Sequence, residues 1–294
     1  MKRSYASATA FRRALEDRLA RLAAKEGVDV QRLRRQAAFD RFLCRLFDGP
    51  DAPWLLKGGY AMELRIKSAR TTRDIDLGIL PTFSGTHAEP WDAARVQEAL
   101  REAARRDLHD YFVFLVGEPM LDLDAAPYGG ARFPVEARMD GRSFAKFHVD
   151  VSAGDVLREP YELLEGRDWL GFAGIGTRKF VSVSREEQFA EKLHAYTLPR
   201  RVAPNSRVRD LVDMTLLAEQ GGLEVRRLKQ AIRDTFRRRK THEVPKQLQP
   251  PPEFWARPFA ELAAECGLEP NITRHFESLV GFLANARVCL AERK

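Results

Sequence analysis

The segment from residue 54 to residue 79 constrains the fold of this chain more than any other stretch of its sequence. Trp54-Leu55-Leu56 is a short apolar run that predicts a strand, and Lys57-Gly58-Gly59 ends it. A helical pattern resumes at residues 61–65, and Asp74-Ile75-Asp76-Leu77-Gly78-Ile79 predicts a second strand. A strand, a glycine pair, a helix and another strand in this order predict an α/β structure.

The residues on either side of this segment continue the mixed pattern. Apolar residues recur at helical spacing in residues 11–22 and 39–47, which predicts two helices at the start of the chain. Later elements are predicted as one helix over residues 92–107 and three strands over residues 111–116, 132–139 and 144–151. The N-terminal half is therefore predicted to combine a sheet with helices.

After Gly176 the pattern becomes helical. Ser184 and Glu187 have the spacing of a capping box in front of an amphipathic helix. Further helices are predicted over residues 207–217, 225–236 and 254–293, with a proline-rich connection over residues 244–253. We therefore predict two domains, a mixed α/β domain over residues 1–175 and a helical domain over residues 176–294.

Composition narrows the functional classes. The chain of 294 residues carries a net charge of +7, which suits a polyanionic partner, although basicity alone is weak evidence for one. It contains no run of about 18 apolar residues, so no transmembrane helix is expected. The N-terminal residues lack the apolar stretch of a signal peptide, which predicts a cytoplasmic protein. The three cysteines lie far apart and match no zinc spacing.

Asp74 and Asp76 are the residues with the clearest chemistry. They lie two positions apart on a predicted strand, so their side chains leave the same face. Carboxylates so close repel each other unless a divalent cation lies between them, and oxygen ligands suit Mg²⁺ or Mn²⁺. A glycine pair before a helix lets backbone N–H groups approach phosphate oxygens. Taken singly, the glycines could form an ordinary turn and the aspartates a solvated strand end, but their order favours a nucleotide site.

The glycine pair followed by Asp-x-Asp resembles the nucleotidyltransferase superfamily related to DNA polymerase β. More narrowly, residues 56–62, Arg65 and residues 70–77 are similar to the AbiEii/AbiGii family of bacterial toxins, a group that includes the MenT toxins. The resemblance covers roughly residues 50–260 and continues through these later segments: residues 149–155, Glu187, residues 191–195 and residues 207–213.

The resemblance implies a nucleotidyltransferase fold, with a mixed sheet flanked by helices and a helical C-terminal lobe. It implies that Gly58 and Gly59 hold the triphosphate and that Asp74 and Asp76 are metal ligands. Asp150 is the best match to the third carboxylate of the superfamily, which could act as a base toward the acceptor hydroxyl. Asp155 is the competing choice for that role. Two positions depart from the pattern: Gly59 stands where many relatives have Ser, and Tyr60 where the family commonly has Thr.

The resemblance also assigns charged residues outside the Asp-x-Asp strand. Lys192 matches the motif lysine, whose ammonium could pair with the triphosphate. Asp210 fits the family's aspartate in the following helix best, with Asp213 close behind. The side chains that we expect at the nucleotide, besides the glycines, are Lys57, Arg65, Arg73 and Asp213, and Arg70 also flanks the Asp-x-Asp strand.

Residues 225–240 predict a helix with one basic face. They contain eight Lys or Arg residues and one acid, Asp234, while the apolar residues keep helical spacing. A solvated helix end, whose final charges complement the helix dipole, is the alternative. We favour a surface that contacts a phosphate backbone, and the four RNA-binding candidates are Arg233, Arg237, Arg238 and Arg239.

These features predict a metal-dependent nucleotidyltransferase that transfers a nucleotide from an NTP to RNA. The resemblance to the MenT toxins implies the 3′ end of tRNA as acceptor, blocked translation as the consequence, and a cognate antitoxin as a possible partner. One alternative keeps the enzyme but changes the acceptor to a protein hydroxyl or a small molecule. The other is a non-catalytic nucleic-acid-binding regulator, for which the sequence lacks a convincing helix-turn-helix signature.

Overall fold

The computed structural model describes residues 5–49, 52–80, 91–122, 126–200 and 204–288. The chain divides into two compact units. The first, called the sheet unit, consists of Met1–Leu64, Thr71–Gly154 and Glu162–Ser182. The second, called the helical unit, consists of Arg65–Arg70, Asp155–Tyr161 and Val183–Lys294.

One mixed sheet forms the centre of the sheet unit. The strands run in the order β3-β5-β6-β2-β1-β8-β7, and β4 pairs with β5 beside β3. The β2–β6 and β1–β8 pairs are parallel, and the remaining pairs are antiparallel. The strands are β1 (Trp54–Lys57), β2 (Asp74–Ile79), β3 (Val113–Val116), β4 (Leu121–Asp122), β5 (Gly130–Met139), β6 (Arg142–Ser152), β7 (Glu162–Glu165) and β8 (Lys179–Ser182).

Side chains alternate between the two faces of this sheet. On β6, Phe147 and Val149 are buried, and the ring centroid of Phe147 lies 4.9 Å from that of Phe39 on a neighbouring helix. His148 and Asp150 alternate with these two residues and therefore point to the opposite, more polar face. Burial of one face therefore leaves the other available for chemistry. The helices of this unit are α1 (Ala8–Glu26), α2 (Val30–Leu46), α3 (Gly58–Arg65) and α4 (Ala93–Ala104), and only the last residue of α3 belongs to the helical unit.

The helical unit begins with the capping box that its sequence predicts. The Ser184 side chain accepts a hydrogen bond from the backbone N–H of Glu187, whose carboxylate in turn accepts from the backbone N–H of Ser184. Phe189 and Leu193 bury the apolar side of the helix that follows. The helices of this unit are α5 (Arg185–Thr197), α6 (Val208–Gln220), α7 (Val225–Arg239), α8 (Ala256–Cys266) and α9 (Ile272–Asn285).

The structure agrees with the predicted mixed sheet and helical C-terminal part, and it adds detail that the sequence did not suggest. The prediction places the change to helix after residue 175, whereas the main change of unit lies between Ser182 and Val183. The difference arises from β8, a four-residue strand after residue 175 that was not predicted and that belongs to the sheet unit. The described part of the chain contains no helix with the length and apolar content that a membrane span requires.

Candidate active site

Three carboxylates lie on the polar face of the sheet. Asp74 and Asp76 occupy alternate positions of β2, as predicted, and so project from one face. β6 runs parallel to β2 in a register that places Asp150 beside Asp76. Asp150 therefore shares this face with both residues of the Asp-x-Asp pair. The competing residue Asp155 lies in the helical unit, where its carboxylate accepts a hydrogen bond of 2.8 Å from Arg239.

The register extends this arrangement into a row of charges across four strands. Lys57 on β1 pairs with Asp76, and on the other side of the row Arg132 on β5 pairs with Asp150. The row therefore reads Lys57, Asp76, Asp150, Arg132, with a cation at each end. Such a row places two acids between two bases at the spacing of neighbouring strands, about 4.8 Å.

Arg132 holds the carboxylates together on the β5 side. Its Nε and Nη2 lie 2.7 Å from the two oxygens of Asp150, and Nη2 lies 3.5 Å from Asp74 Oδ2. The hydrogen bonds and charge of Asp150, with the charge of Asp74, raise the pKa of the Arg132 guanidinium against the effect of partial burial. His148 adds a second contact, since its Nδ1 lies 3.2 Å from Asp74 Oδ1.

The glycine pair fits around Asp76. Gly58 has a φ of +65°, and a Cβ atom added there would lie 1.9 Å from Asp76 Oδ2. The backbone N–H of Gly59 donates a hydrogen bond of 3.3 Å to the same oxygen. A side chain at residue 58 would both strain the backbone and displace the carboxylate. The predicted phosphate-binding glycines therefore also determine where Asp76 lies.

The donor set suits a hard cation that brings its own further ligands. Mg²⁺ commonly takes one or two protein carboxylates and completes its shell with phosphate oxygens and water. Asp74 and Asp76 supply two such carboxylates on one face beside the glycine pair. A group of three or more His, Cys, Asp or Glu side chains arranged to hold a metal does not occur within the described ranges. The third acid, Asp150, is engaged by Arg132.

The arginines predicted to flank the nucleotide have different surroundings. Arg73 precedes β2 and is exposed. Arg65 belongs to the helical unit, where its guanidinium donates to the side chain of Gln188 and the backbone carbonyl of Val183. Arg70 is buried in the same unit and donates two hydrogen bonds to Asp213. Arg73 thus has a freely hydrated position, while Arg65 and Arg70 are engaged within the protein.

Lys192 lies at the centre of a second charged cluster, in the helical unit. Its Nζ lies 3.1 Å from Asp210 Oδ1 and 2.9 Å from Asp213 Oδ2. Arg70 binds both oxygens of Asp213 at 2.9 and 2.8 Å, so this carboxylate contacts two cations. Asp210 Oδ2 is buried and makes no hydrogen bond within the described part of the chain. Lys192 is therefore a fixed, paired cation, not a solvated surface lysine.

Electrostatics keep the ions of this cluster charged. Burial alone would lower the pKa of the Lys192 ammonium, but the charges of Asp213 and Asp210 raise it well above its usual range. Burial alone would raise the pKa of Asp213, and the charges of Lys192 and Arg70 lower it instead. The cluster therefore holds a positive ammonium in one position over the whole physiological pH range.

The basic helix predicted over residues 225–240 is α7. Leu228, Ile232 and Phe236 bury its apolar side. Of the four arginines predicted to bind RNA, three are exposed, and these are Arg233, Arg237 and Arg238. Arg239 differs, because it is largely buried and its guanidinium lies 2.8 Å from Asp155 Oδ1 and 3.8 Å from Glu191 Oε1. The exposed basic face is thus smaller than the sequence suggested.

A mixed sheet with carboxylates on adjacent parallel strands beside a glycine pair is the arrangement that the resemblance to nucleotidyltransferases implies. The model of the nucleotidyl transferase AbiEii toxin family, from type IV toxin–antitoxin systems, matches residues 41–288 of this chain. The chain therefore belongs to the AbiEii family of nucleotidyltransferase toxins, as its motifs predicted.

A solved structure supports the fold, and a second one is similar to a lesser degree. The nucleotidyltransferase toxin MenT4 of Mycobacterium tuberculosis superposes with a TM-score of 0.56 at 19% identity, over 92% of this chain and 98% of that one. JHP933 of Helicobacter pylori gives a TM-score of 0.49 at 13% identity, over 88% of this chain and 94% of that one. Comparison with curated protein sequences gives no match.

Sequence reasoning missed Arg132 and His148. His148 lies two residues before Asp150 on one strand, so strand alternation alone could have placed it on the same face. Arg132 was harder to find, because its pairing with Asp150 depends on the β5–β6 register. The hairpin between the two strands sets that register. The residues of the Asp-x-Asp motif do not predict where this hairpin lies.

Proposed function

We propose that this protein transfers a nucleotide from an NTP to the 3′ end of an RNA, with tRNA as the acceptor, and thereby blocks translation. The observation that carries the proposal is the in-register row of Asp76 and Asp150, with Asp74 on the same face of β2. Membership of a toxin family supports both the transfer reaction and a cognate antitoxin as partner.

In the proposed reaction Asp74 and Asp76 would hold Mg²⁺ or Mn²⁺ together with the triphosphate. The bound cation would neutralise phosphate charge and polarise the α-phosphate. The RNA hydroxyl oxygen forms a bond to the α-phosphorus while the bond from that phosphorus to the bridging oxygen breaks, and pyrophosphate leaves. Arg132 first releases one carboxylate oxygen of Asp150, and Asp150 then accepts the hydroxyl proton at that oxygen. The freed guanidinium then has phosphate oxygens as its natural new partners.

Lys57, Gly58 and Gly59 are proposed to bind the triphosphate at the end of β1, together with Arg73. Lys192 is proposed to pair with the same phosphates, and Asp210 and Asp213 to orient its ammonium. The exposed arginines of α7 are proposed to contact the RNA backbone, a role that needs charge but no base recognition. Arg239, held by Asp155, contributes less to that contact than its three neighbours.

The proposal is tested by incubating the protein with Mg²⁺, each labelled NTP in turn and total tRNA, followed by a denaturing gel. We expect one or more NTPs to label tRNA. Asp74→Ala and Asp76→Ala should each reduce labelling by at least about a thousandfold, because loss of a metal ligand removes several kcal/mol of charge stabilisation. Asp17→Ala, on the exposed side of α1, is the control and should label like wild type.

Both active-site variants should retain the fold, since Asp74 and Asp76 are part-exposed and like charges are being removed. We expect unfolding free energies within about 1 kcal/mol of wild type. Near wild-type labelling by either variant would refute the assignment of the metal ligands. Labelling of protein or of a small molecule in place of tRNA would refute the RNA acceptor but retain the enzyme class.

A further inference from the structure

A groove of about 850 Å³ opens on the polar face of the sheet unit, beside the carboxylates. It is called the β5 groove here, and it extends away from Asp74, Arg132 and His148 across β6, β5 and β3. The residues that line its outer part are Arg35, Arg73, Leu115, Met120, Pro134 and Lys146. The reaction proposed above uses none of these except Arg73.

Strand register explains how the groove is built. Leu115, Glu136 and Lys146 form one row across β3, β5 and β6, and Pro134 lies beside His148 in the next row toward the carboxylates. Lys146 is four residues before Asp150, which places it roughly 13 Å along the strand. The groove therefore begins at the carboxylates and is long enough to hold more than one nucleoside.

The floor of the groove is apolar and unusually open. The exposed fractions are 46% for Leu115 and 65% for Met120, although both are large apolar side chains. Gly117 and Pro134 pack closely, since a Cβ atom added at Gly117 would lie 2.8 Å from Pro134 Cγ. Exposed apolar side chains beside a polar site indicate a bound group with a flat apolar surface, and a nucleobase has one.

The rim of the groove is cationic. Arg35, Arg73 and Lys146 line it together with Arg132, whereas the acids that line it are Asp74 and Glu136. Glu136 is already paired with Arg138, whose Nε lies 3.1 Å away. The Arg35 side chain is part-exposed in this rim. A phosphodiester supplies the acceptor oxygens with which a guanidinium pairs.

We propose that the β5 groove binds the unpaired 3′ end of the RNA acceptor, an inference that rests on the function proposed above. The terminal bases pack on Leu115, Met120 and Pro134, and the phosphates lie along Arg35 and Lys146. Unpaired RNA ends suit such a groove, because unstacked bases expose both an apolar face and a flexible charged backbone. This position presents the terminal hydroxyl to Asp150 at the inner end.

The test uses two RNAs of equal length, one with an unpaired 3′ end and one a blunt duplex. Affinities of the full-length protein are measured by fluorescence anisotropy, without NTP. We expect Lys146→Glu and Leu115→Asp each to weaken binding of the unpaired end on the order of tenfold, and binding of the duplex much less. Lys179→Glu makes the same charge change on β8, at the other side of the sheet, and should leave the preference unchanged.

Two further measurements separate the possible failures. Lys146→Glu should lower the log–log salt slope for the unpaired end by roughly 0.7, the value for one lost phosphate contact. An RNA with 4-thiouridine among its last unpaired nucleotides should photo-crosslink to the peptide that contains Leu115 and Met120. Because the crosslink is formed by the wild-type protein, it tests RNA binding in the groove even if a groove variant folds poorly.

Several results would overturn the proposal. Unchanged affinities in both groove variants, or a crosslink only to α7, would place the RNA end elsewhere. Weaker NTP binding with unchanged RNA binding would make the groove part of the nucleotide site. If instead the wild-type protein binds and crosslinks in the groove but never labels RNA, the proposed function fails while the groove stands as an RNA-binding site.

Discussion

Two Arg–Asp pairs of nearly the same geometry lie in different surroundings in the two units. Arg132 binds the two oxygens of Asp150 at 2.7 Å each, and Arg70 binds those of Asp213 at 2.9 and 2.8 Å. The exposed side-chain fractions are 31% and 13% in the first pair, but 8% and 0% in the second. Water can therefore replace the partners of the first pair far more easily.

Hydrogen-bond geometry alone therefore does not indicate what a charged pair does. A part-exposed pair exchanges partners at small cost, which is what an active site needs when substrate arrives. A buried pair is costly to break, because the partner that remains is an uncompensated charge in an apolar medium. We infer that Arg132–Asp150 is exchangeable, and that Arg70–Asp213 is permanent support for Lys192.

The largest predicted effect is on the buried pair. Asp213→Asn leaves Arg70 and Lys192 with one charged partner fewer, so we expect the free energy of unfolding to fall by about 3–5 kcal/mol. Denaturant unfolding measures this, and Glu261→Gln, which removes an exposed partner of Arg257 in α8, should cost at most about 1 kcal/mol. A loss below 1 kcal/mol for Asp213→Asn would show that burial does not distinguish the two pairs.

Much of this contrast lay beyond the sequence. The row of acids was predictable in part. The alternation of side chains along a strand predicted that Asp74 and Asp76 lie on one face, and the family resemblance predicted Asp150 as the third carboxylate. The position of Arg132 beside Asp150 was not, because it depends on strand register. Likewise, a helical spacing puts Asp210 and Asp213 on one face of α6 but does not reveal that Arg70, 143 residues earlier, binds Asp213.

Local patterns performed best where a feature depends only on neighbours in the chain. The capping box at Ser184 and the apolar side of α7 were both predicted and are both present. β8 was missed because four residues are too few to establish a strand period, yet it pairs with both β1 and β7 in the sheet. Tertiary partners decide such short elements, and a single sequence does not record them.

Glu187 is a buried acid whose carboxylate accepts hydrogen bonds from backbone N–H groups, whereas Asp213 contacts two cations. Burial raises the pKa of Glu187 to about 7, and hydrogen bonds from the backbone N–H groups of Arg158 and Ser184 offset this only in part. The folded state therefore binds a proton more tightly than the unfolded state, whose value is about 4.5. Stability from this group is present below pH 4.5 and is lost as the pH rises to 7.

Unfolding free energies at pH 5 and pH 7.5 measure this effect. Wild type should lose roughly 2 kcal/mol relative to Glu187→Gln across that interval, since each unit of pKa difference corresponds to about 1.4 kcal/mol and part of the loss lies below pH 5. Glu243→Gln, at an exposed acid of the same unit, should keep the wild-type profile. Parallel profiles for wild type and Glu187→Gln would mean that Glu187 is ionised in the folded protein.

The smallest predicted effect is on the exposed pair, and it completes the contrast. Arg132→Gln removes the cation between Asp150 and Asp74, but both carboxylates remain partly hydrated. We expect the free energy of unfolding to change by less than about 1 kcal/mol, and the difference to shrink further in high salt. Arg70→Gln is the matched change in the buried pair, where we expect a loss of several kcal/mol that salt barely alters.

If Arg132→Gln destabilised the protein as much as Arg70→Gln, the two pairs would be equivalent supports of the fold. Arg132 could not then release Asp150 during nucleotide transfer at small cost, and the proton would have to go to another group.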